Sequence, residues 1–292
     1  MAVFDKLFVI KRWDIGYGFK NISSPQDIQG VTFSLIKSKL NEWYADPFCV
    51  SENGNYYIFC EVFHQRTGRG NIGVFEYKKE KFKKCHIVID EPFHMSYPNV
   101  FKHNGRWFMI PETSEKRELR LYEATDFPFK WKLCKVLANN VKYVDSTLLF
   151  LSEEKAFIFC YQLCDDANKL LTFEIDMDSY EMTLIDVIKD TDMSLRPGGN
   201  FLKNTHFISQ MNIHFYGEAL IFRKIKDCTL LEKSSVLFCN DFLNFKKRNR
   251  YCGVHTFNMG DDFYVVDLLK KSFSIMKPFY FLSRRLIKNG KK

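Results

Sequence analysis

Apolar runs of four to seven residues, each ended by Asn, Gly, Asp or Lys, recur along the chain, and helical spacing is scarce. Runs of this length with turn residues between them predict strands. Five times, about every fifty residues, they join into one phrase: a polar residue, an apolar strand, a polar turn, a second aromatic-rich strand and another polar residue. The first copies are Ala45-Asp46-Pro47-Phe48-Cys49-Val50 into Tyr56-Tyr57-Ile58-Phe59-Cys60-Glu61, and Tyr97-Pro98-Asn99-Val100-Phe101 into Trp107-Phe108-Met109-Ile110-Pro111-Glu112. Val144-Asp145-Ser146-Thr147, Arg196-Pro197-Gly198-Gly199 and Val254-His255-Thr256-Phe257-Asn258 lead the other three. The leading positions Asp46, Pro98, Asp145, Arg196 and His255 step by 52, 47, 51 and 59 residues. A strand-rich repeat of this period predicts an all-β fold: a single five-bladed β-propeller of four-stranded antiparallel blades.

The blades are expected at about 42–89, 95–137, 144–187, 196–245 and 254–275, so the propeller spans 1–278 and a basic tail 279–292 follows. The fifth blade is short. Leu7-Phe8-Val9-Ile10 is an apolar run near the N-terminus, and N-terminal residues are expected to complete the last blade and cover its edge. Five such blades account for most of the 292 residues, so no second domain is expected.

Thirty Phe supply ample packing material between blades. Nine cysteines, an odd number with several inside apolar strands, read as reduced thiols. The charges Asp5, Lys6, Lys11 and Arg12 interrupt any leader-like apolar core, and no run reaches a membrane span, so a cytoplasmic location is expected. The net charge of +8 is concentrated in Lys246-Lys247-Arg248-Asn249-Arg250 and in the C-terminal tail. Phe279-Tyr280-Phe281-Leu282 precedes that tail, a pairing suited to an anionic membrane surface on the inner face as well as to plain solvated surface. Nucleic acid is not an expected partner, because no recognition motif accompanies the charge.

A propeller brings one end of each innermost strand to a common axis. The carboxylates Asp46, Glu61, Glu112 and Asp145 occupy matching places in the first three blades, and Arg196 and His255 add cationic groups from the last two. Such a set suits sugar chemistry: a carboxylate takes a hydroxyl proton or attacks an anomeric carbon, a protonated one assists departure, and Arg or His neutralises phosphate. Glu61, His64, Arg66, Tyr97, Arg196, Gln210, His255 and Asn258 are expected to contact substrate. Asp176-Met177-Asp178 and Asp190-Thr191-Asp192 match a metal–nucleotide pattern, but Asp in turns caps backbone, and no divalent metal or other cofactor is expected. Cys160 and Cys164 lack a second ligand pair at zinc spacing.

Tyr44-Ala45-Asp46-Pro47-Phe48, Ser96-Tyr97-Pro98-Asn99-Val100-Phe101, Ile110-Pro111-Glu112-Thr113-Ser114, Val144-Asp145-Ser146-Thr147-Leu148 and Arg196-Pro197-Gly198-Gly199 resemble one propeller family. It is typified by the N-terminal domain of plant glucosamine inositolphosphorylceramide transferases and their bacterial relatives. The chain is more distantly similar to five-bladed hydrolases of arabinan, xylan and fructans. That resemblance implies Asp46 as base or nucleophile, Asp145 as an orienting or pKa-tuning carboxylate and Glu112 as an acid. With no export signal, the expected reaction is sugar transfer, with a lean towards furanosyl, from a nucleotide sugar to the glycan acceptor of a bacterial surface polysaccharide. A glycoside hydrolase or phosphorylase acting on intracellular oligosaccharides and a non-catalytic glycan-binding propeller are the alternatives.

Overall fold

The computed structural model describes residues 7–29, 31–226, 229–242 and 250–289. Two strands at the start of the chain, β1 (Val9–Phe19) and β2 (Ser34–Ile36), are held for the last blade. The first blade is β3 (Glu42–Glu52), β4 (Asn55–His64), β5 (Arg69–Lys78) and β6 (Lys81–Ile89). The second is β7 (Ser96–His103), β8 (Arg106–Glu112), β9 (Glu118–Asp126) and β10 (Lys130–Asn139). The third is β11 (Tyr143–Phe150), β12 (Lys155–Gln162), β13 (Lys169–Asp176) and β14 (Met182–Lys189). Together with the two sheets that follow, they form a five-bladed propeller of antiparallel meanders.

The fourth blade departs from the four-stranded expectation. Only β15 (His206–Met211), β16 (Ala219–Lys226) and β17 (Thr229–Phe238) form a continuous sheet. Its innermost segment is joined by two isolated bridges, Pro197 to Ser209 and Leu202 to His206. Pro197 has no N–H to donate, and Gly199 sits at φ +132, so a regular ladder cannot run through this segment. The basic residues 246–249 and the end of this blade at 245 lie outside the described residues.

The fifth blade is assembled from both ends of the chain. β18 (Phe257–Met259) and β19 (Phe263–Phe273) form its inner half, and β1 pairs with β19 over eleven residues before β2 completes the sheet. Beyond it, residues of the expected tail form a helix, α1 (Lys277–Asn289). Pro278 falls in the first turn, where no intrahelical N–H is needed, and Arg285 complements the negative C-terminal end.

An apolar cluster fills each seam between neighbouring blades. Phe48, Phe59 and Val74 pack against Met95, Tyr97 and Met109 between the first and second blades. Ile15, Tyr17 and Val265 meet Ile58 and Phe75 where the ring closes. Each fully buried Phe contributes about 1.5–3 kcal/mol, so the Phe-rich composition is spent on the seams.

Candidate active site at the propeller axis

The innermost strands of the first three blades carry the same irregularity. Their pairing skips between Ala45 and Phe48, between Ser96 and Asn99, and between Val144 and Thr147. In each bulge the first extra residue is left-handed: Asp46 at φ 49, Tyr97 at φ 46 and Asp145 at φ 49. A bulge re-aims a side chain at the cost of a strained backbone, and here it turns all three toward the centre. The structural counterpart of Asp46 and Asp145 in the second blade is therefore Tyr97, one residue before the Pro98 expected from the repeat.

The bulges also free backbone N–H groups, which carboxylates take up. The Asp46 N–H donates to Asp267 Oδ2 at 3.1 Å, and the Tyr97 N–H donates to Asp46 Oδ2 at 3.2 Å. Asp267 also accepts from the N–H groups of His255 and Thr256, at 3.0 and 2.9 Å. Thr256 Oγ1 donates to Asp46 Oδ1 at 3.0 Å.

His255 stands between two carboxylates. Nε2 is 3.0 Å from Asp46 Oδ1, and Nδ1 is 2.6 Å from Asp267 Oδ2, a charge contact lying off the ring N–H direction. Burial alone would lower its pKa, but Asp267 and Asp46 outweigh it and push the imidazole up to about 10. For Asp46, burial is opposed and overcome by His255, Thr256 and Arg196, so its carboxyl sits below the ordinary range. Trp13 lies against the His255 ring, with centroids 4.1 Å apart. Asp46, His255 and Asp267 are also the one trio of ligand atoms among the described residues close enough to hold a metal ion. Both imidazole nitrogens already face carboxylates, so the cation in this trio is the imidazolium.

A second carboxylate group lies across the axis. Arg196 Nε contacts Asp145 Oδ2 at 2.5 Å, and Gln210 Nε2 donates to the same oxygen at 2.7 Å. Burial raises Asp145 to about 7 despite Arg196, with Glu112 and Asp46 adding to the rise. Arg196 Nη2 also approaches Glu112 Oε2 at 3.8 Å, and Glu112 accepts from Ser96 and Ser114 at 3.2 and 2.6 Å. The Arg196 guanidinium lies 5.5 Å from the ring of half-exposed Tyr216, which also meets His255.

Glu61 is the third carboxyl type. Burial, then Asp46 and Glu112, hold it well above the usual carboxylate range, which favours its neutral form. His94 Nε2 lies 3.5 Å from its Oε1. His94 Nδ1 accepts the Gly70 N–H at 2.9 Å, which leaves the ring proton on Nε2, facing Glu61. Gly70 makes the room: a Cβ there would lie 2.4 Å from Glu61 Oε1 and 2.6 Å from the Met95 carbonyl.

Asp46, Glu61, Glu112, Asp145, Arg196, Gln210 and His255 thus share one axial cluster. Tyr97 and Asn258 serve it structurally. Gly199 N–H donates to the Tyr97 hydroxyl at 2.7 Å, and Asn258 bridges Pro47 O and Asn200 N at 2.7 and 2.6 Å. His64 and Arg66 instead line a groove between the first blade and α1. They follow Glu61 in sequence, but His64 ends β4 and Arg66 lies in the loop beyond it. Asp267, His94, Trp13 and Tyr216 were not anticipated. Asp267, a lone carboxylate closing the last phrase after Val265-Val266, was the readable signal among them; the others follow no repeat. The two Asp-x-Asp segments cap turns: Asp176 accepts from Ser179 and Asp178, and Asp190 from Ser194 and Leu195.

The fold is that of a class of propellers shared with several solved sugar-processing structures. An α-L-arabinofuranosidase from Podospora anserina superposes with a TM-score of 0.53 at 10% identity, over 78% of this chain and 90% of that one. A β-xylosidase gives 0.54 at 10%, over 80% and 92%. A structure from a family of mannoside phosphorylases that contains β-1,2-mannoside hydrolases gives 0.55 at 9%, over 86% and 94%. Sequence is more specific. Residues 32–193 match the family described as glucosamine inositolphosphorylceramide transferase 1, N-terminal, and the chain belongs to that family. Over 111 residues it is 38% identical to glucosamine inositolphosphorylceramide transferase 1 of Oryza sativa subsp. indica and 37% identical to that of Arabidopsis thaliana. Those matches cover 37% of this chain and 15% and 14% of the relatives, so the matched part spans about one-seventh of their length.

Proposed function

We propose that the axial cluster is the reaction centre of a glycosyltransferase that moves a sugar from a nucleotide donor to the acceptor of a bacterial surface polysaccharide such as capsule or lipopolysaccharide. The observation that carries this reading is the contrast within one cluster: Asp46 held below the ordinary carboxylate range, Glu61 held well above it, and Arg196 paired with Asp145 beside them. Carboxyl groups whose environments pull their pKa values apart mark acid and base roles. Asp46 takes the proton of the acceptor hydroxyl as its oxygen bonds to the anomeric carbon. The bond from that carbon to the donor phosphate breaks, and Arg196 receives the charge on the departing phosphate. His255 and Asp267 keep Asp46 ionised and oriented, and exposed Tyr216 offers a face for a sugar or base. The transferase names of the matched relatives support transfer. The donor is proposed to be cytoplasmic, and a furanosyl sugar is our lean.

One feature favours the second reading, a hydrolase or phosphorylase. The raised pKa of Glu61 favours the protonated form that a sugar leaving group needs, so Glu61 suits the acid role better than Glu112, which is hydrogen-bonded to two serines. Incubation with panels of nucleotide sugars and of oligosaccharides separates the two. Nucleotide release that depends on the acceptor and falls at least 100-fold in Asp46→Asn is expected, on the order of the loss of one general base. Cleavage of oligosaccharides by water or phosphate, with no nucleotide release, decides for the second. Glycan binding without turnover on either panel leaves a non-catalytic propeller.

A further inference from the structure

The helix α1 is amphipathic with its faces reversed. A surface helix ordinarily turns its apolar stripe to the core and its polar side to water. Here the side pinned to the propeller is mostly polar. Tyr280 Oη donates to Asn41 Oδ1 at 2.7 Å, Ser283 Oγ to Arg66 O at 2.8 Å, and Arg284 Nε to Gln65 O at 2.8 Å. Away from these bonds the helix carries Phe279, Phe281, Leu282 and Leu286, which are 61%, 72%, 58% and 72% exposed, with Leu286 at the edge of a groove beside the first blade. These bonds fix the helix so that its apolar residues project outward.

The helix lies at the mouth end of the propeller. Asp46, Tyr97 and Asp145 sit in the first half of their strands, so the mouth is the end where innermost strands begin and second strands finish. The segments holding α1, at Asn41 and Gln65–Arg66, immediately precede β3 and follow β4. Other loops at this end also present large apolar side chains: exposed Leu40 precedes β3, and exposed Ile213 and Phe215 follow β15. The turns at the far end are polar, such as Asn53-Gly54, Asn104-Gly105 and Asp261-Asp262, though Leu151 is exposed there.

Charge names the occupant. From Leu268 to the C-terminus the sequence holds eight Lys or Arg and no Asp or Glu. A groove of about 560 Å³ between α1 and the first blade is lined by His64, Arg66, Glu42 and the apolar Leu286 and Ile287. Exposed aromatic and aliphatic side chains at one end of the propeller, with cations beside them, match the headgroup layer of an anionic bilayer. We propose that the mouth end of the propeller docks on an anionic membrane surface through α1. The apolar side chains enter the interfacial layer, while Arg66 and Arg285 meet lipid phosphate. This surface is independent of the chemistry proposed for the axis.

Co-sedimentation of the full chain with vesicles, without any sugar, tests it. Binding to vesicles of phosphatidylcholine with 30% phosphatidylglycerol should exceed binding to phosphatidylcholine alone by on the order of tenfold, and should weaken with salt. The triple variant Phe279→Ser/Leu282→Ser/Leu286→Ser changes exposed side chains, so it should keep the wild-type melting temperature while losing vesicle binding. Arg66→Ala/Arg285→Ala should lose mainly the preference for anionic lipid. Failure of the folded wild-type chain to bind anionic vesicles at low salt overturns the proposal. So does wild-type self-association that the triple variant abolishes with vesicle binding unchanged, because the face would then be an interface between copies. Loss of glycosyl activity with vesicle binding intact would sink the reaction and leave this proposal standing.

Discussion

His255 and Glu61 both lose stability as pH rises, but from different starting points, which separates their roles. His255 has a folded pKa of about 10, above the ordinary value, so its contribution to stability is complete below about pH 6.5 and is lost as pH rises toward 10. The wild-type melting temperature should therefore fall over that window more than in His255→Gln, measured side by side by thermal unfolding; parallel curves would sink the assignment of a buried imidazolium. Glu61 is also raised, so its neutral form is the favoured one and ionisation costs stability as pH climbs above the ordinary carboxylate range. Glu61→Gln mimics the neutral form. It should equal the wild type in stability at acid pH and match or exceed it at pH 8, while abolishing any cleavage that needs a carboxyl proton. Asp145 titrates near 7 and leans on Arg196, so a rate that depends on their pair should change around neutral pH, and Asp145→Asn should flatten that profile.

At the scale of the element, the bulge is what the sequence concealed. The recurrence placed Asp46, Asp145, Arg196 and His255 near one axis, because a fifty-residue period shows in apolar strands of similar composition. It did not show which residue of Tyr97-Pro98 faces inward, since that depends on a left-handed φ at one position and not on hydrophobic alternation. His94 and Trp13 were invisible for another reason: they reach the axis from a connecting loop and from the third strand of a blade closed by the other end of the chain. Helix α1 has helical spacing, but its apolar face points outward, which reads in sequence as an ordinary tail. The inner segment of the fourth blade offers the sharpest element-level test. A Cβ at Gly199 would lie 2.0 Å from the Phe257 carbonyl, at a φ that L side chains avoid. Gly199→Ala should destabilise the protein by several kcal/mol, seen as a lower denaturation midpoint, whereas Tyr97→Phe, which leaves the Gly199 N–H without its acceptor, should cost about 1–3 kcal/mol.

At the scale of the whole molecule, the ring is closed by a strand from the opposite end of the chain. β1 pairs with β19 across eleven residues and contributes Ile15 and Tyr17 to the closing seam. A chain lacking its first nineteen residues would expose the edge of β19 and leave half of that seam unfilled. Size-exclusion chromatography should show it aggregated, and a monomeric, cooperatively melting truncation would contradict the closure described. Distant superpositions with sugar-processing propellers establish the shared frame, while the chain's own residues decide what that frame does.

The carboxylates that accept the bulge amides also link electrostatics to spectroscopy. The Tyr97 amide proton is bound by Asp46 and the Asp46 amide proton by Asp267, so each backbone N–H has as its acceptor a carboxylate of the neighbouring blade. Those two amides are built-in indicators. In a ¹⁵N-labelled sample their resonances should move when a donor phosphate or an acceptor hydroxyl changes the charge at Asp46, before any turnover is seen. The protein thus carries its own readout of occupancy at the centre of the ring, on atoms that no mutation of a side chain needs to disturb.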